Sequence, residues 1–140
     1  MHLLAIDPGV DVGWALVEDS RLAACGLGHP PPCQPDEVII ECPVLRPRGE
    51  KNPNAILKLA RNAGEWGGRL GGGRYVSPNE WKKNVPKDIS HARIWAKLDD
   101  QEKTIVDDAF RAHKGRNGMA PSKRHNVIDA IGIALWGVGR

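Results

Sequence analysis

The chain has 140 residues, 41% hydrophobic and 26% charged, with a formal net charge of +3. That length suits a single domain spanning 1–140 around one core and excludes a two-lobed architecture. No apolar run approaches the ~18 residues of a membrane span and no basic segment precedes an apolar one at the N-terminus, so a soluble, unprocessed, cytoplasmic protein with no membrane partner is expected. Cys25, Cys33 and Cys42 are odd in number and show no CxxC spacing, which fits free thiols in a reducing compartment. Sixteen glycines and eleven prolines fall mostly between the periodic segments and are read as turns and loops. The positive charge permits a nucleic-acid partner, and the placement of the charges matters more than their sum.

In chain order, Leu3-Leu4-Ala5-Ile6 is a continuous apolar run that stops at Asp7, as expected of a strand covered on both faces. Pro8-Gly9 turns the chain. Val12, Trp14 and Leu16 then alternate with Gly13, Ala15 and Val17, predicting a hairpin partner. Glu18-Asp19-Ser20 is a polar turn, and Leu22–Leu27 a third strand. The proline-rich connection from His29 to Pro35 cannot be helical. Val38-Ile39-Ile40 repeats the opening pattern, ends at Glu41, and is expected to run parallel to the first strand. Both acids then share the carboxyl edge of the sheet, where open α/β sheets bind ligands.

Residues 42–51 form a loop bearing Arg46, Arg48 and Lys51. Asn52-Pro53 is a capped helix start, and Ile56, Ala60, Ala63, Trp66 and Leu70 lie on one face of the helix that follows. A short fifth strand, Arg74–Ser77, leads into a basic stretch containing Lys82, Lys83 and Lys87. Helices are expected near 89–98 and 101–112, followed by a mobile basic loop from His113 to Pro121. A last helix, Lys123–Val138, is expected to be capped by Ser122. Asp129 is the only ionisable residue of its apolar middle, with His125 and Asn126 one turn earlier on the same side. Gly132 is expected to let this helix lie close on the sheet.

Each feature has a plainer reading. Asp7 could cap the turn at Gly9, Asp129 could sit on a polar helix face, and the basic runs could be solvated surfaces. Taken together, Asp7, Glu41 and Asp129 gather like charges at a buried edge, where they repel unless cations stand between them. Oxygen ligands favour Mg²⁺ or Mn²⁺ over zinc. A pair of such ions activates water and stabilises the leaving oxygen of a phosphodiester. The basic segments would then supply phosphate contacts.

Ala5-Ile6-Asp7-Pro8-Gly9 with Gly13, the Val-Ile-Ile strand ending at Glu41, and His125-Asn126-Val127-Ile128-Asp129-Ala130 together resemble the RuvC family of Holliday junction resolvases, and its compact phage-type branch in particular. Tyr75-Val76-Ser77-Pro78 with Trp81-Lys82-Lys83 and Pro86-Lys87 is similar to the family's fifth strand and following basic segment. The resemblance implies a ribonuclease H-like α/β fold: a five-stranded mixed sheet, three strands antiparallel and then two parallel, flanked by helices. It further implies a homodimer that nicks two opposed strands of a four-way DNA junction with two Mg²⁺ or Mn²⁺ ions. Asp7, Glu41 and Asp129 would be the catalytic metal ligands. Asn126 stands where the family usually places an acid or His, so it becomes a weak fourth ligand, with His125 assisting proton transfer. Arg46, Arg48, Lys51, Lys82, Lys83 and Lys87 would meet DNA. Two further departures are the missing helix between the third and fourth strands, and Val44 in place of an aromatic residue that inserts into the junction.

Other readings are a ribonuclease H-fold nuclease for flaps, forks or RNA, and a non-catalytic junction-binding protein. The helix from Pro53 to Leu70, with Trp66, Ala60, Ala63 and Gly67, is a candidate dimer interface. Packing of that surface on its own sheet is the competing account.

Overall fold

The opening apolar run forms β1 (His2–Asp7), with Leu3, Leu4, Ala5 and Ile6 all fully buried. Neighbours cover both faces of this central strand, so no polar residue interrupts the run. In a computed structural model that describes residues 1–45, 49 and 51–140, β2 (Gly13–Glu18) pairs antiparallel with β1, and β3 (Arg21–Leu27) antiparallel with β2. Asp19 and Ser20 both have positive φ, 46° and 66°, the backbone of a two-residue turn whose twist matches a hairpin. Residues 28–36 lead on without a helix to β4 (Glu37–Glu41), which pairs parallel with β1 on its other side. β5 (Arg74–Val76) pairs parallel with β4. The order β3-β2-β1-β4-β5 is the expected mixed sheet.

Asn52 caps α1 (Pro53–Arg69): its side-chain oxygen accepts from the Ala55 N–H at 3.2 Å, and Pro53 opens the first turn. Four helices follow β5: α2 (Pro78–Lys82), α3 (Lys87–Lys97), α4 (Asp100–Ala112) and α5 (Pro121–Gly137). The period-2 alternation of the strands sorts their residues between two layers. Leu3, Ala5, Ala15, Val17 and Ile39 face α5, with Ile94 of α3 and Val106 and Phe110 of α4 in the same core. Leu4, Ile6, Trp14, Leu16, Val38 and Ile40 face the opposite way, onto Ala63 and Trp66 of α1.

That second layer corrects the proposed use of α1. Ala63, Trp66 and Gly67 are buried within their own chain, so this face of the helix is not available to a second subunit. Two other expectations change. α5 begins at Pro121 after Ala120, with no side-chain cap, so Pro121 and not Ser122 sets its first turn. The loop before it is fastened, because Met119 is 1% exposed and its N–H donates to the Phe110 carbonyl at 2.8 Å.

Glu102 of α4 ties the far end of the sheet together. It is 1% exposed, and Arg140 donates to both its carboxylate oxygens, at 2.5 and 2.9 Å. The backbone N–H groups of Leu22 and Asp99 donate to the same carboxylate at 2.8 and 2.9 Å. Arg140 foremost, then these amides, outweigh desolvation and hold the Glu102 carboxyl at about 2. Removing one partner of a buried pair leaves the other uncompensated. Glu102→Ala should therefore destabilise the fold by about 3 kcal/mol at neutral pH, since Arg140 keeps its bonds to the Ser20 and Lys97 carbonyls. Because the folded value lies below the ordinary 4.5, this stabilisation is complete above that pH and fades as pH falls towards 2. Urea unfolding of both proteins at pH 7, 4 and 2.5 should show their stability difference shrinking through that window.

Candidate active site

The two parallel strands present their acids side by side. Ile6 lies opposite Ile40, and the next residue on each strand is Asp7 and Glu41. The turn after Asp7 is closed by backbone: the Gly9 N–H donates to the Asp7 carbonyl at 3.0 Å. The carboxylate is thus not spent on capping Gly9.

Gly13 sits across the hairpin from Asp7. A Cβ at Gly13 would stand 2.0 Å from the Asn126 carbonyl oxygen and 2.8 Å from the Val127 nitrogen. The backbone of α5 therefore touches the sheet beside Asp7, and Asp129, less than one turn further on, reaches the same edge with only 5% of its surface exposed. Gly132 does not make this approach, contrary to expectation. Its missing Cβ accommodates Trp81 and Ile94, which would lie 2.5 and 2.6 Å away, so it admits α2 and α3 to the helix. At the other end of α5, Gly137 makes a second close contact with the sheet, where a Cβ would meet Ile39 at 2.6 Å.

Asp7 and Glu41 are both shifted upward. Burial first, then the charges of Glu41 and Asp129, push Asp7 up to about 8 against the opposing pull of Lys82 and Lys87. Burial also raises Glu41, although the Trp81 indole N–H donates to its Oε2 at 2.5 Å and partly offsets this. Asp129 Oδ1 pairs with His91 Nε2 at 2.8 Å, and the Nζ atoms of Lys82 and Lys87 each stand 3.9 Å from Oδ2. His125 meets His91 edge to face with ring centres 5.1 Å apart. Its own pKa is lowered by burial and by the neighbouring Lys87 and His91.

The expected residues therefore divide. Asp7, Glu41, Asp129 and His125 are brought to one place, and Asn126 lies at the contact with Gly13. Lys82 and Lys87 stand at the acids, while Lys83 and Lys51 are exposed. Arg46 and Arg48 lie outside the described residues. Sequence reasoning gave no role to Trp81 or His91. The signal for His91 was its i,i+4 spacing from Lys87 on α3, which puts both on the side that meets Asp129. Among the described residues no three His, Cys, Asp or Glu side chains stand close enough to enclose an ion as they are. The chemistry of the set still fits a hard divalent cation: three oxygen donors, two of them raised above their ordinary pKa by burial first and by neighbouring carboxylates.

No family model matches the sequence, and no curated protein does. Among solved structures, Thermus thermophilus RuvC in complex with a Holliday junction substrate matches with a TM-score of 0.51 at 16% identity, over 96% of this chain and 90% of that one. The chain has a RuvC-like fold. A second Thermus thermophilus RuvC structure matches at a TM-score of 0.35, also at 16% identity, over 96% and 92% of the two chains. The mixed sheet order agrees with this fold.

Two outcomes follow for the protein without added metal. Gly13→Ala places a methyl group against the backbone of α5 and should cost about 1–3 kcal/mol by overpacking, read as a lowered Tm. Asp7→Asn should act in the opposite direction. Asp7 ionises at about 8 in the fold against an ordinary 3.8, so its favourable term is complete below 3.8 and is lost as pH rises through 8. In EDTA, the Tm of the variant should exceed that of the parent by more at pH 8 than at pH 5. An equal difference at both would mean that Asp7 does not carry this strain.

Proposed function

We propose that this chain is a metal-dependent endodeoxyribonuclease that nicks opposed strands of four-way DNA junctions. The observation that carries the reading is the meeting of Asp7, Glu41 and Asp129 at one edge of a RuvC-like sheet, with Asp7 raised to about 8 by burial and then by the other two. Asp7, Glu41 and Asp129 would hold Mg²⁺ or Mn²⁺, with Asn126 as a weaker amide ligand. When bound, the ions would supply positive charge beside the carboxylates and polarise water and phosphate. Trp81 holds one oxygen of Glu41, and His91 one oxygen of Asp129, which fixes how each carboxylate is presented. His125, partly buried and with a lowered pKa, is neutral at physiological pH and suited to accept a proton from the attacking water. Lys82 and Lys87 lie between the acids and solvent, where they would meet the substrate phosphate.

One protomer offers one such centre, so paired nicks across a junction call for two copies related by a two-fold axis. The relative whose structure contains a Holliday junction supports branched DNA as the substrate class. Val44 and Leu45, 61% and 59% exposed, put aliphatic surface where the resembled family often carries an intercalating aromatic, so junction opening would rely on wedging more than on stacking.

Asp7→Asn should abolish cleavage of a labelled four-way junction in Mg²⁺ while retaining its binding. Normal turnover by this variant would remove Asp7 from the centre. A fork, a flap and an RNA–DNA hybrid tested beside the junction separate the resolvase from a general nuclease. Binding to the junction without cutting any of the four in Mg²⁺ or Mn²⁺ would leave only a junction-binding protein. Neutralising Lys82, Lys83 or Lys87 should reduce the slope of log affinity against log salt by about one, as one lost phosphate contact does.

A further inference from the structure

Trp81 belongs to two sites at once. Its indole N–H donates to Glu41, and its ring lines a cavity of about 230 Å³ between the end of α2, α3 and the second half of α5. Trp136 supplies a second aromatic surface, and Ile94, Leu135 and Gly132 are apolar lining. All the charged residues that line it are cationic, and none is an acid. Two of these cations are engaged: Lys82 with Asp129, and Lys97 with the Arg140 carbonyl at 2.7 Å. The other two, Lys83 and Arg93, are exposed, and among the described residues neither pairs with a carboxylate. Lys83 is held there at φ 54°, a backbone region ordinarily left to glycine. A second cavity, about 390 Å³, mixes Asp11 and Glu65 with Arg69 and has no comparable preference for an anion.

Aromatic walls, an apolar lining and unpaired cations match a flat ring joined to phosphate. The volume is below the roughly 300–1,000 Å³ of sites for drug-sized ligands, which suits one ring system and not two. We infer that this cavity receives a single unstacked nucleobase of the bound DNA, against Trp81 and Trp136, with its flanking phosphates on Lys83 and Arg93. The inference rests on the nuclease reading above. Unstacking costs least where a strand is already unpaired or branched, so a base near a crossover is the natural occupant. Because Trp81 also holds Glu41, a base in the cavity sets which phosphodiester of that strand lies at the acids.

The test uses the Asp7→Asn protein and a set of four-way junctions, each lacking one base at a successive position about the crossover. Binding is read by fluorescence anisotropy. At one position per strand, loss of the base should weaken binding about tenfold, the effect of one lost base–aromatic stack. That penalty should vanish when Trp136→Leu is added. It should also vanish with Val85→Phe, which fills the cavity from the loop between α2 and α3 and serves if Trp136→Leu fails to fold. A flat profile, or a penalty unchanged in these variants, overturns the cavity proposal. Cleavage of the intact junction by the parent protein is measured alongside. Cleavage with a flat profile overturns the cavity alone. A cavity-dependent penalty without cleavage keeps the cavity and removes the nuclease, and neither binding nor cleavage overturns both.

Discussion

The arrangement of the acids depends on a backbone contact. Where β2 passes beneath α5 there is no side chain, and the helix carbonyl at Asn126 occupies the space a Cβ would need. Gly13 is also the residue paired with Asp7 across the hairpin. One absence thus lowers the helix onto the sheet and does so beside the first acid. The positions of Asp129, His125 and Asn126 follow from the pitch of α5 once that contact is made. At the other end, Gly137 leaves room for the Ile39 and Leu3 side chains of the sheet.

Two buried carboxylates show how differently the fold treats charge. Glu102 has a guanidinium and two amides around it and sits at about 2. Asp7 is buried with two other carboxylates near it and sits at about 8. The first belongs to the structure and loses by change. The second is an imposed burden that the surrounding core sustains, the pattern in which strongly shifted groups mark functional sites. Lys82 and Lys87 relieve it only in part, since each remains 3.9 Å from Asp129 and neither cancels the rise at Asp7.

Much of this was legible in the chain. Apolar runs that stop at Asp7 and Glu41 announced two buried parallel strands, and a lone acid in the apolar middle of α5 announced the third member. The hairpin followed from alternation, and the full strand order from the resemblance to the RuvC family. What failed were statements about which surface meets which. The face of α1 with Trp66 reads identically whether it covers its own sheet or another subunit, because amphipathicity names no partner. Gly132 reads as a close approach, but only the folded chain says that the approaching groups are Trp81 and Ile94, from helices some 40–50 residues away. His91 was hidden for the same reason. Its partner Asp129 is 38 residues distant, and nothing local to α3 calls for it.

A site positioned by missing atoms has a particular relation to sequence drift. The apolar residues packed around α5 can exchange for others of similar bulk one at a time, since none of them individually sets the height of the helix. Gly13 has no such neighbours in sequence space, because every replacement adds volume where helix backbone already stands. A core repacked around α5 would therefore keep the spacing of the acids, whereas a side chain at Gly13 would not.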